Sequence, residues 1–149
     1  NDATLTNVSF KNANMSETHM TNTTLQGTNF GTYHFSLLEH LRVDTRTKIR
    51  GANFWMCDFR NSVWAAAPYD FSSGKAEGCN FSGMNLRGWN FSRTSLKGSN
   101  FIGCDLQDAN FTGAKMSESL FIDANLTEAK MDSADTTDAQ FQGAIGFKA

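Results

Sequence analysis

Large apolar residues recur at every fifth position along most of this 149-residue chain. From Phe81 to Phe141 this position is apolar in every unit except the one with Thr136. The residue two places earlier is small in all units except those with Met84 and Trp89. The repeating unit is therefore small-x-large-x-x. Its large positions supply the predicted core residues Phe81, Leu86, Phe91, Leu96, Phe101, Leu106, Phe111, Phe121, Leu126 and Phe141.

A period of five fits neither an α-helix nor a long flat strand, whose side chains repeat about every 3.6 and about every 2 residues. In a short extended segment, residues two apart point the same way, so the small and the large residue can both face inward. The other two residues are often Gly, Ser, Asp or Thr, which favour turns. The pattern predicts that each pentapeptide forms one side of a coil.

Charge placement supports this inward and outward assignment. Fourteen charged residues lie between Glu77 and Asp138, and none of them occupies a predicted inward position. Because burying an unpaired charge is costly, such segregation is expected only if the assignment is correct.

Several units resemble the A(D/N)LXX signature of the pentapeptide-repeat family, notably 109–113 (ANFTG), 124–128 (ANLTE) and 52–54 (ANF). The resemblance implies an all-β fold, a right-handed quadrilateral parallel β-helix with four pentapeptides per coil. Stacking at 20-residue intervals would then align identical side chains in neighbouring coils. We expect one ladder of Phe81, Phe101, Phe121 and Phe141, and an opposite ladder of Phe91 and Phe111.

Two segments interrupt the repeat and shift its frame, at about 31–50 and about 65–76. The first contains Leu37, Leu38 and Leu41 at the spacing of one amphipathic helical turn. The second contains the chain's single proline, Pro68. We therefore expect one domain over 1–149 with two loop insertions. Since the chain begins without Met and shows no capping helices, it is expected to be a segment of a longer protein.

The charge changes along the chain, with a balance of -2 over residues 1–40, +5 over 41–100 and -5 over 101–149. Within the basic zone Trp55 follows the inward Phe54, so it is predicted to point outward. An outward Trp among arginines is typical of an interface hot spot. In the alternative, the loops fold back and bury Trp55 in a local cluster. The predicted partner-binding residues are Arg46, Lys48, Arg50, Trp55, Arg60, Pro68 and Tyr69.

A smaller apolar patch is predicted from Ile102, Leu120 and Ile122, which all occupy outward positions. The seven N-x-S/T sequons, by contrast, mostly share one place in the repeat and are interpreted as by-products of it.

The sequence shows no convincing catalytic constellation. The best candidate is His40 beside Glu39 and near Asp44, and neighbouring Glu and His are common on polar loops. No metal-ligand spacing and no Gly-rich phosphate loop is present. The three cysteines form no CxxC unit and are predicted to be inert fillers. We therefore expect no enzyme activity, no cofactor and no bound metal.

The favoured function is a non-enzymatic protein-protein interaction or recognition module, as part of a larger bacterial protein or effector. The family resemblance offers a DNA-mimicking protein that protects gyrase as the alternative, although the basic middle of the chain fits it poorly. A purely structural spacer is the second alternative. The expected partner is another protein and not nucleic acid, with an end-to-end homodimer as a further option. No apolar run reaches a membrane-spanning length and no signal peptide is visible, which favours the cytoplasm or delivery into a host cell.

Overall fold

The chain winds into a stack of coils that pair in parallel with their neighbours. The computed structural model describes residues 19–20, 36–37, 42–43, 49–54, 56–60, 63–64 and 68–148. The regular strands are β1 (His19–Met20), β2 (Ser36–Leu37), β3 (Arg42–Val43), β4 (Cys57–Asp58) and β5 (Val63–Trp64). They form one parallel sheet in the order β1-β3-β5 and another of β2 and β4. From Asn53 onward, pairing also runs through isolated parallel bridges.

The length of a coil can be read from which residues pair. From Asp70 onward, every bridge joins residues 20 positions apart, beginning with Asp70 and Asn90. Four pentapeptides therefore complete one coil. Towards the N-terminus the coils are longer, because His19 pairs with Arg42, 23 positions away. In the described residues the frame shifts are thus absorbed as one to three extra residues per coil.

Each regular coil has four sides, which we label by their inward residues. Side A is lined by Phe71, Phe91, Phe111 and Met131. Side B is lined by Ala76, Leu96, Met116 and Thr136. Side C, opposite side A, is lined by Phe81, Phe101, Phe121 and Phe141. Side D is lined by Leu86, Leu106 and Leu126.

Stacked phenylalanine rings run through the core, as the sequence predicts. On side C, the ring centroids of Phe81 and Phe101, and of Phe101 and Phe121, lie 4.9 Å apart and within 6° of parallel. On side A, the rings of Phe91 and Phe111 lie 5.2 Å apart and 7° from parallel. The predicted ladders are confirmed, and the small angles mean that successive coils rotate little.

The predicted core residues lie inside the stack. Nine of the ten are at most 1% exposed. Phe141 is only partly buried because it belongs to the last coil described, where Phe147 stacks on it at 3.7 Å.

Small inward residues with polar atoms are bonded to the previous coil. The Thr94 hydroxyl donates to the Phe71 carbonyl at 2.7 Å, and the Ser119 hydroxyl donates to the Leu96 carbonyl at 2.8 Å. Each bond satisfies a polar group that would be expensive to bury alone. Among the described residues, no buried side-chain nitrogen or oxygen lacks a hydrogen-bond partner.

The corners between sides are tight turns. In the turn at Phe81, the Met84 N–H donates to the Phe81 carbonyl at 3.1 Å, and Gly83 has φ of 73°. Glycine adopts this left-handed conformation without strain, whereas other residues do so at a cost. The same corner conformation occurs at Ser73, Arg93, Asp108, Glu118, Asp123, Glu128, Ser133 and Asp138.

The structure corrects three expectations about the interruptions. Leu37 lies in β2, paired with β4, so the predicted helical turn is wrong at this residue. Leu38 and Leu41 lie outside the described residues. The repeat has already resumed at Ile49, which is 2% exposed, one residue before the predicted end of the first interruption.

The second interruption is also shorter than predicted. Regular turns and bridges are present again from Asp70 onward, and Ala76 is fully buried at a large position. The sequence pattern missed this unit because alanine is small where the repeat calls for a large residue. Tyr69 and Phe71 already bring two large side chains into this coil, so a small residue is tolerated at 76.

We predict that Phe101→Ala costs about 3 to 5 kcal/mol of unfolding free energy, because it opens a cavity in a continuous ring ladder. Urea denaturation followed by circular dichroism measures it. The matched control is Ile102→Ala, an outward neighbour expected to cost less than about 1 kcal/mol. Similar losses for both variants would contradict the inward assignment.

The buried cysteines generate a second prediction. Cys57, Cys79 and Cys104 are at most 1% exposed. Burial raises the pKa of the Cys104 thiol to about 12, so it stays protonated at neutral pH. Its Sγ donates to the Phe81 carbonyl at 2.9 Å.

We therefore expect none of these three thiols to react with Ellman's reagent in the native protein at pH 7, and all three to react in urea. Mass spectrometry of the labelled chain counts the modified residues. Rapid native labelling of any of the three would show that the coil interior opens readily.

Candidate functional site

Of the predicted basic and aromatic residues, the structure describes Arg50, Arg60, Pro68 and Tyr69, and it places the two arginines apart. Arg50 follows Ile49 and lies on side A, one coil before Phe71, since the Gly51 N–H donates to the Ser72 carbonyl at 3.0 Å. Arg60 follows Phe59 and lies on side C, one coil before Phe81. These arginines are exposed on opposite sides of the stack. The predictions for Arg46, Lys48 and Trp55 fall outside the described residues.

Arg60 is engaged within the chain. Its guanidinium donates two hydrogen bonds to the Asp58 carboxylate, from Nη2 to Oδ2 at 2.6 Å and from Nε to Oδ1 at 3.0 Å. Partial burial disfavours the charged form of Asp58, but hydrogen bonds and the charge of Arg60 outweigh it and lower the pKa of the carboxyl. The Asp58–Arg60 pair is therefore ionised and locally neutral at pH 7.

Tyr69 is not available to a partner, which corrects its assignment as a contact residue. It is 4% exposed and occupies an inward position. Its ring packs edge-on against Trp64 at 4.9 Å and against Trp89 at 5.0 Å. Trp89 in turn stacks on Phe71 at 5.3 Å. These large rings fill the irregular coil where the frame shifts, so they contribute to the core.

Pro68 remains at the surface. It is exposed and lies beside Gly88 at the corner between sides D and A. Without Tyr69 and with Arg60 paired, Pro68 and Arg50 do not form a cluster with the other described residues of the predicted site.

The described residues offer little for catalysis. They include no group of three or more His, Cys, Asp or Glu that could hold a metal ion. The predicted candidate His40, with Glu39 and Asp44, lies outside them. An open cleft of about 410 Å³ lies at the C-terminal end of the stack, lined by residues such as Leu126, Met131 and Phe147.

Side C carries no charge in its outward columns between residues 80 and 142, although Asp123 lies at the corner next to Ile122. Its outward residues form two columns, one on each side of the inward phenylalanines. The first column is Asp58, Asn80, Asn100, Leu120 and Gln140. The second column is Arg60, Ser82, Ile102, Ile122 and Gln142. From 80 to 142 neither column carries a charge, and we call this surface the uncharged face.

The other sides are charged at the same positions. Side B carries Lys75, Glu77, Lys97, Lys115 and Asp135. Sides A and D carry further charges, including Asp70 and Lys130 on side A and Arg87 and Asp105 on side D. The uncharged face is therefore specific to one side of the solenoid and does not reflect the repeat itself.

Three aliphatic residues lie at the centre of the uncharged face. Ile102, Leu120 and Ile122 occupy the outward columns and are partly buried by their neighbours. Leu120 takes the column position that Asn80 and Asn100 occupy in earlier coils. The sequence predicted this patch as a minor one. The structure adds that amides and a serine lie above and below it in the two columns, while Glu118 and Asp123 lie at the corners on either side of it.

Backbone hydrogen bonds hold the Asn80 and Asn100 side chains in place on the uncharged face. Asn80 and Asn100 accept hydrogen bonds through Oδ1 from the Ser82 N–H at 3.0 Å and the Ile102 N–H at 2.9 Å. These bonds fix both side chains at the surface. Gly83 and Gly103 form corners where an added Cβ would meet no atom within 4 Å. Nothing on these corners therefore obstructs an approaching surface.

The acidic residues do not form a continuous stripe. Some lie at corners and others on the sides, and some are paired with bases of the preceding coil. Lys97 Nζ lies 3.1 Å from a Glu118 carboxylate oxygen, and an Arg87 nitrogen lies 3.5 Å from one of Asp108. Exposed pairs of this kind contribute little stability, but they reduce the local negative charge.

The chain aligns with solved structures of other proteins. HetL from the cyanobacterium Nostoc sp. strain PCC 7120 is described as involved in heterocyst differentiation regulation. It aligns with a TM-score of 0.58 and 20% identity over 95% of this chain and 84% of its own. Rfr23 from the cyanobacterium Cyanothece 51142 aligns with a TM-score of 0.42 and 17% identity over 87% of this chain and 91% of its own. Full-length QnrB1, a plasmid-mediated fluoroquinolone resistance protein, aligns with a TM-score of 0.38 and 14% identity over 93% of this chain and 91% of its own.

At these identities the likeness to HetL shows the fold alone. The search of curated proteins found no match. Among the described residues, no helix has the length and apolar character needed to cross a membrane.

A family model supplies the assignment that structure comparison alone does not. Eight copies of the pentapeptide repeat are recognised, in residues 1–31, 70–101, 77–113 and 104–145, which together exceed half of the chain. With its 20-residue coils and four sides, this chain belongs to the pentapeptide-repeat family and has that family's right-handed quadrilateral β-helix fold.

Proposed function

We propose that this protein is a non-enzymatic recognition module that binds another protein through its uncharged face. The observation that carries the proposal is the pair of outward columns that carries no charge over four successive coils, with Ile102, Leu120 and Ile122 at its centre. Depletion of charge around an apolar centre distinguishes interface cores from ordinary protein surface.

The scaffold supports binding by rigidity. The inward residues are committed to ring ladders and bonded polar groups, so only outward residues remain for function. The Leu120 N–H donates to the Ser99 carbonyl of the preceding coil at 2.9 Å, and the Phe121 N–H donates to the Gln140 carbonyl of the next coil at 2.8 Å. Because the backbone is held on both edges, little conformational entropy is lost on binding.

The alternatives are less well supported. A DNA mimic needs negative charge running along the molecule, whereas here Glu118 and Asp108 are paired with Lys97 and Arg87. A purely structural spacer has no need of a charge-free side. The prediction that the module is part of a larger bacterial protein or effector stays a prediction.

The test is affinity capture from a lysate of the source organism or its host, with mass spectrometry of the retained proteins. Ile122→Lys places a charge at the centre of the uncharged face and should reduce partner retention at least about tenfold, a loss of about 1.4 kcal/mol. The matched control is Ser117→Lys, which makes the same change at the equivalent outward position on side B. It should retain the partner normally.

A third variant, Trp55→Ala with Arg50→Glu, tests the basic-aromatic hypothesis in the same assay. Circular dichroism confirms that each variant is folded. Equal retention by Ile122→Lys and Ser117→Lys would contradict the proposed surface. Loss only in the Trp55/Arg50 variant would transfer the binding site to the basic zone.

A further inference from the structure

A second surface lies at the edge where side A meets side B. Three lines of residues run along this edge: the last outward position of side A, the corner, and the first outward position of side B. From residue 50 to residue 115 these lines contain no acid and four cations, which are Arg50, Lys75, Arg93 and Lys115. We call this surface the basic edge.

Each of four successive coils contributes one cation to the basic edge. Neighbouring coils are about 4.8 Å apart, so the four cations cover about 14 Å along the stack. Arg93 occupies the corner itself, and its Cγ lies 3.6 Å from the place where a Cβ on Gly113 would be. Its side chain therefore lies against the coil that carries Lys115, and the row is continuous there.

All four cations are available to a ligand. Each is exposed, and in the described part of the chain none of them forms an ion pair or a side-chain hydrogen bond. Arg60, Arg87 and Lys97, by contrast, are each paired with an acid. Because unpaired like charges repel each other, the row does not help to hold the coils together.

Hydroxyl groups lie between the cations, at the partly or fully exposed residues Ser73, Ser92, Ser95 and Thr112. A hydroxyl both donates and accepts hydrogen bonds and adds no charge, so these residues can bond to a polar ligand held by the cations.

Two acids border the basic edge, and both accept hydrogen bonds within the chain. The Asp70 carboxylate accepts from the Ser72 N–H at 2.9 Å and from Asn90 Nδ2 at 3.2 Å. The Glu77 carboxylate accepts from the Ser95 hydroxyl. Neither acid forms an ion pair with a cation of the basic edge in the described part of the chain.

The other three edges of the solenoid carry acids. Asp70, Asp108 and Glu128 lie along the edge between sides D and A, Glu77, Glu118 and Asp138 along that between B and C, and Asp105 and Asp123 along that between C and D. Within the described residues, an uninterrupted row of cations is therefore specific to the edge between sides A and B.

We propose that the basic edge binds an acidic segment of a partner protein, as an extended peptide rich in Asp and Glu. Clusters of basic side chains are a recurrent way of recognising acidic motifs. An extended chain advances about 3.3 Å per residue, so about four to five residues span the row. This inference goes beyond the proposed function, because it concerns another part of the surface and does not depend on the uncharged face.

Nucleic acid is the competing ligand, and it fits less well. Proteins that bind single strands stack the bases on accessible aromatic side chains. Along sides A and B the described aromatic residues are buried, as Phe71 and Phe91 are. Firm binding to a duplex typically uses about six to ten phosphate contacts, whereas the basic edge offers four cations.

Fluorescence anisotropy of a labelled octa-glutamate peptide, titrated with the full chain at about 50 mM salt, tests the inference. We expect saturable binding with a Kd below about 1 mM. Binding should weaken at least about tenfold when the salt is raised to about 500 mM, because salt screens exposed charges. An octa-glutamine peptide of the same length should not bind.

The repeat itself supplies substitutions that suit the fold. Arg93→Ser and Lys115→Ser introduce the residue that the same line carries one coil earlier, at Ser73 and Ser95. This double variant should bind octa-glutamate at least about tenfold more weakly than the unmodified chain.

The matched control is Arg87→Gln with Lys130→Asn. It also takes its residues from neighbouring coils, at Gln107 and Asn110, and it removes the same charge outside the basic edge. It should bind the peptide as the unmodified chain does. Equal weakening in the two double variants would overturn the inference, because binding would then depend on total charge alone.

The remaining outcomes are also decisive. No binding of octa-glutamate up to about 1 mM, or equal binding of octa-glutamine, would overturn the inference. A labelled octathymidylate is titrated in parallel, and if it binds more tightly than octa-glutamate and is lost in Arg93→Ser with Lys115→Ser, the ligand is nucleic acid and not an acidic peptide. Ile122→Lys should not weaken peptide binding, so this inference and the proposed function fail separately.

Discussion

The backbone hydrogen bonds between coils are the interaction on which the rest of the structure depends. Each inward strand bonds to both neighbouring coils: the Phe101 N–H donates to the Leu120 carbonyl of the following coil at 2.7 Å, and the Asn100 N–H donates to the Cys79 carbonyl of the preceding coil at 2.8 Å. Parallel pairing at a 20-residue interval places equivalent side chains directly above one another. The ring ladders, the columns and the uncharged face all follow from this register.

The register also determines which residue types each position of the repeat can accept. Inward residues must fill the coil, and their polar atoms must bond, as the Thr94 and Ser119 hydroxyls do. Corner residues must accept a left-handed backbone, which glycine does most easily, yet Asp123 and Glu128 occupy it with φ of 55° and 59°. Outward residues need neither fill the coil nor adopt a left-handed backbone. The lack of charge in the outward columns of side C is therefore a property of this sequence and not of its fold.

Much of the fold was predictable because a five-residue period leaves few physical solutions. The ladder of Phe81, Phe101 and Phe121 follows once the coil length is known. The irregular coil was not predictable in the same way. Tyr69 and Trp89 break the small-residue rule, and only their packing around Trp64 shows that they are core residues. Arg50 and Arg60, ten residues apart, lie on opposite sides, and this could not be read before the coil length was known. The uncharged face was missed as a whole because its signal is an absence repeated every 20 residues.

The most direct test of the central claim asks which side of the solenoid is covered in a complex. Gln142→Cys on the uncharged face and Thr137→Cys on side B occupy equivalent exposed positions in one coil, and the buried native thiols are expected to stay unlabelled. An environment-sensitive fluorophore at each position is titrated with captured partner. Our account predicts a blue shift at 142 and none at 137. A shift at 137 alone, or equal shifts at both, would contradict it.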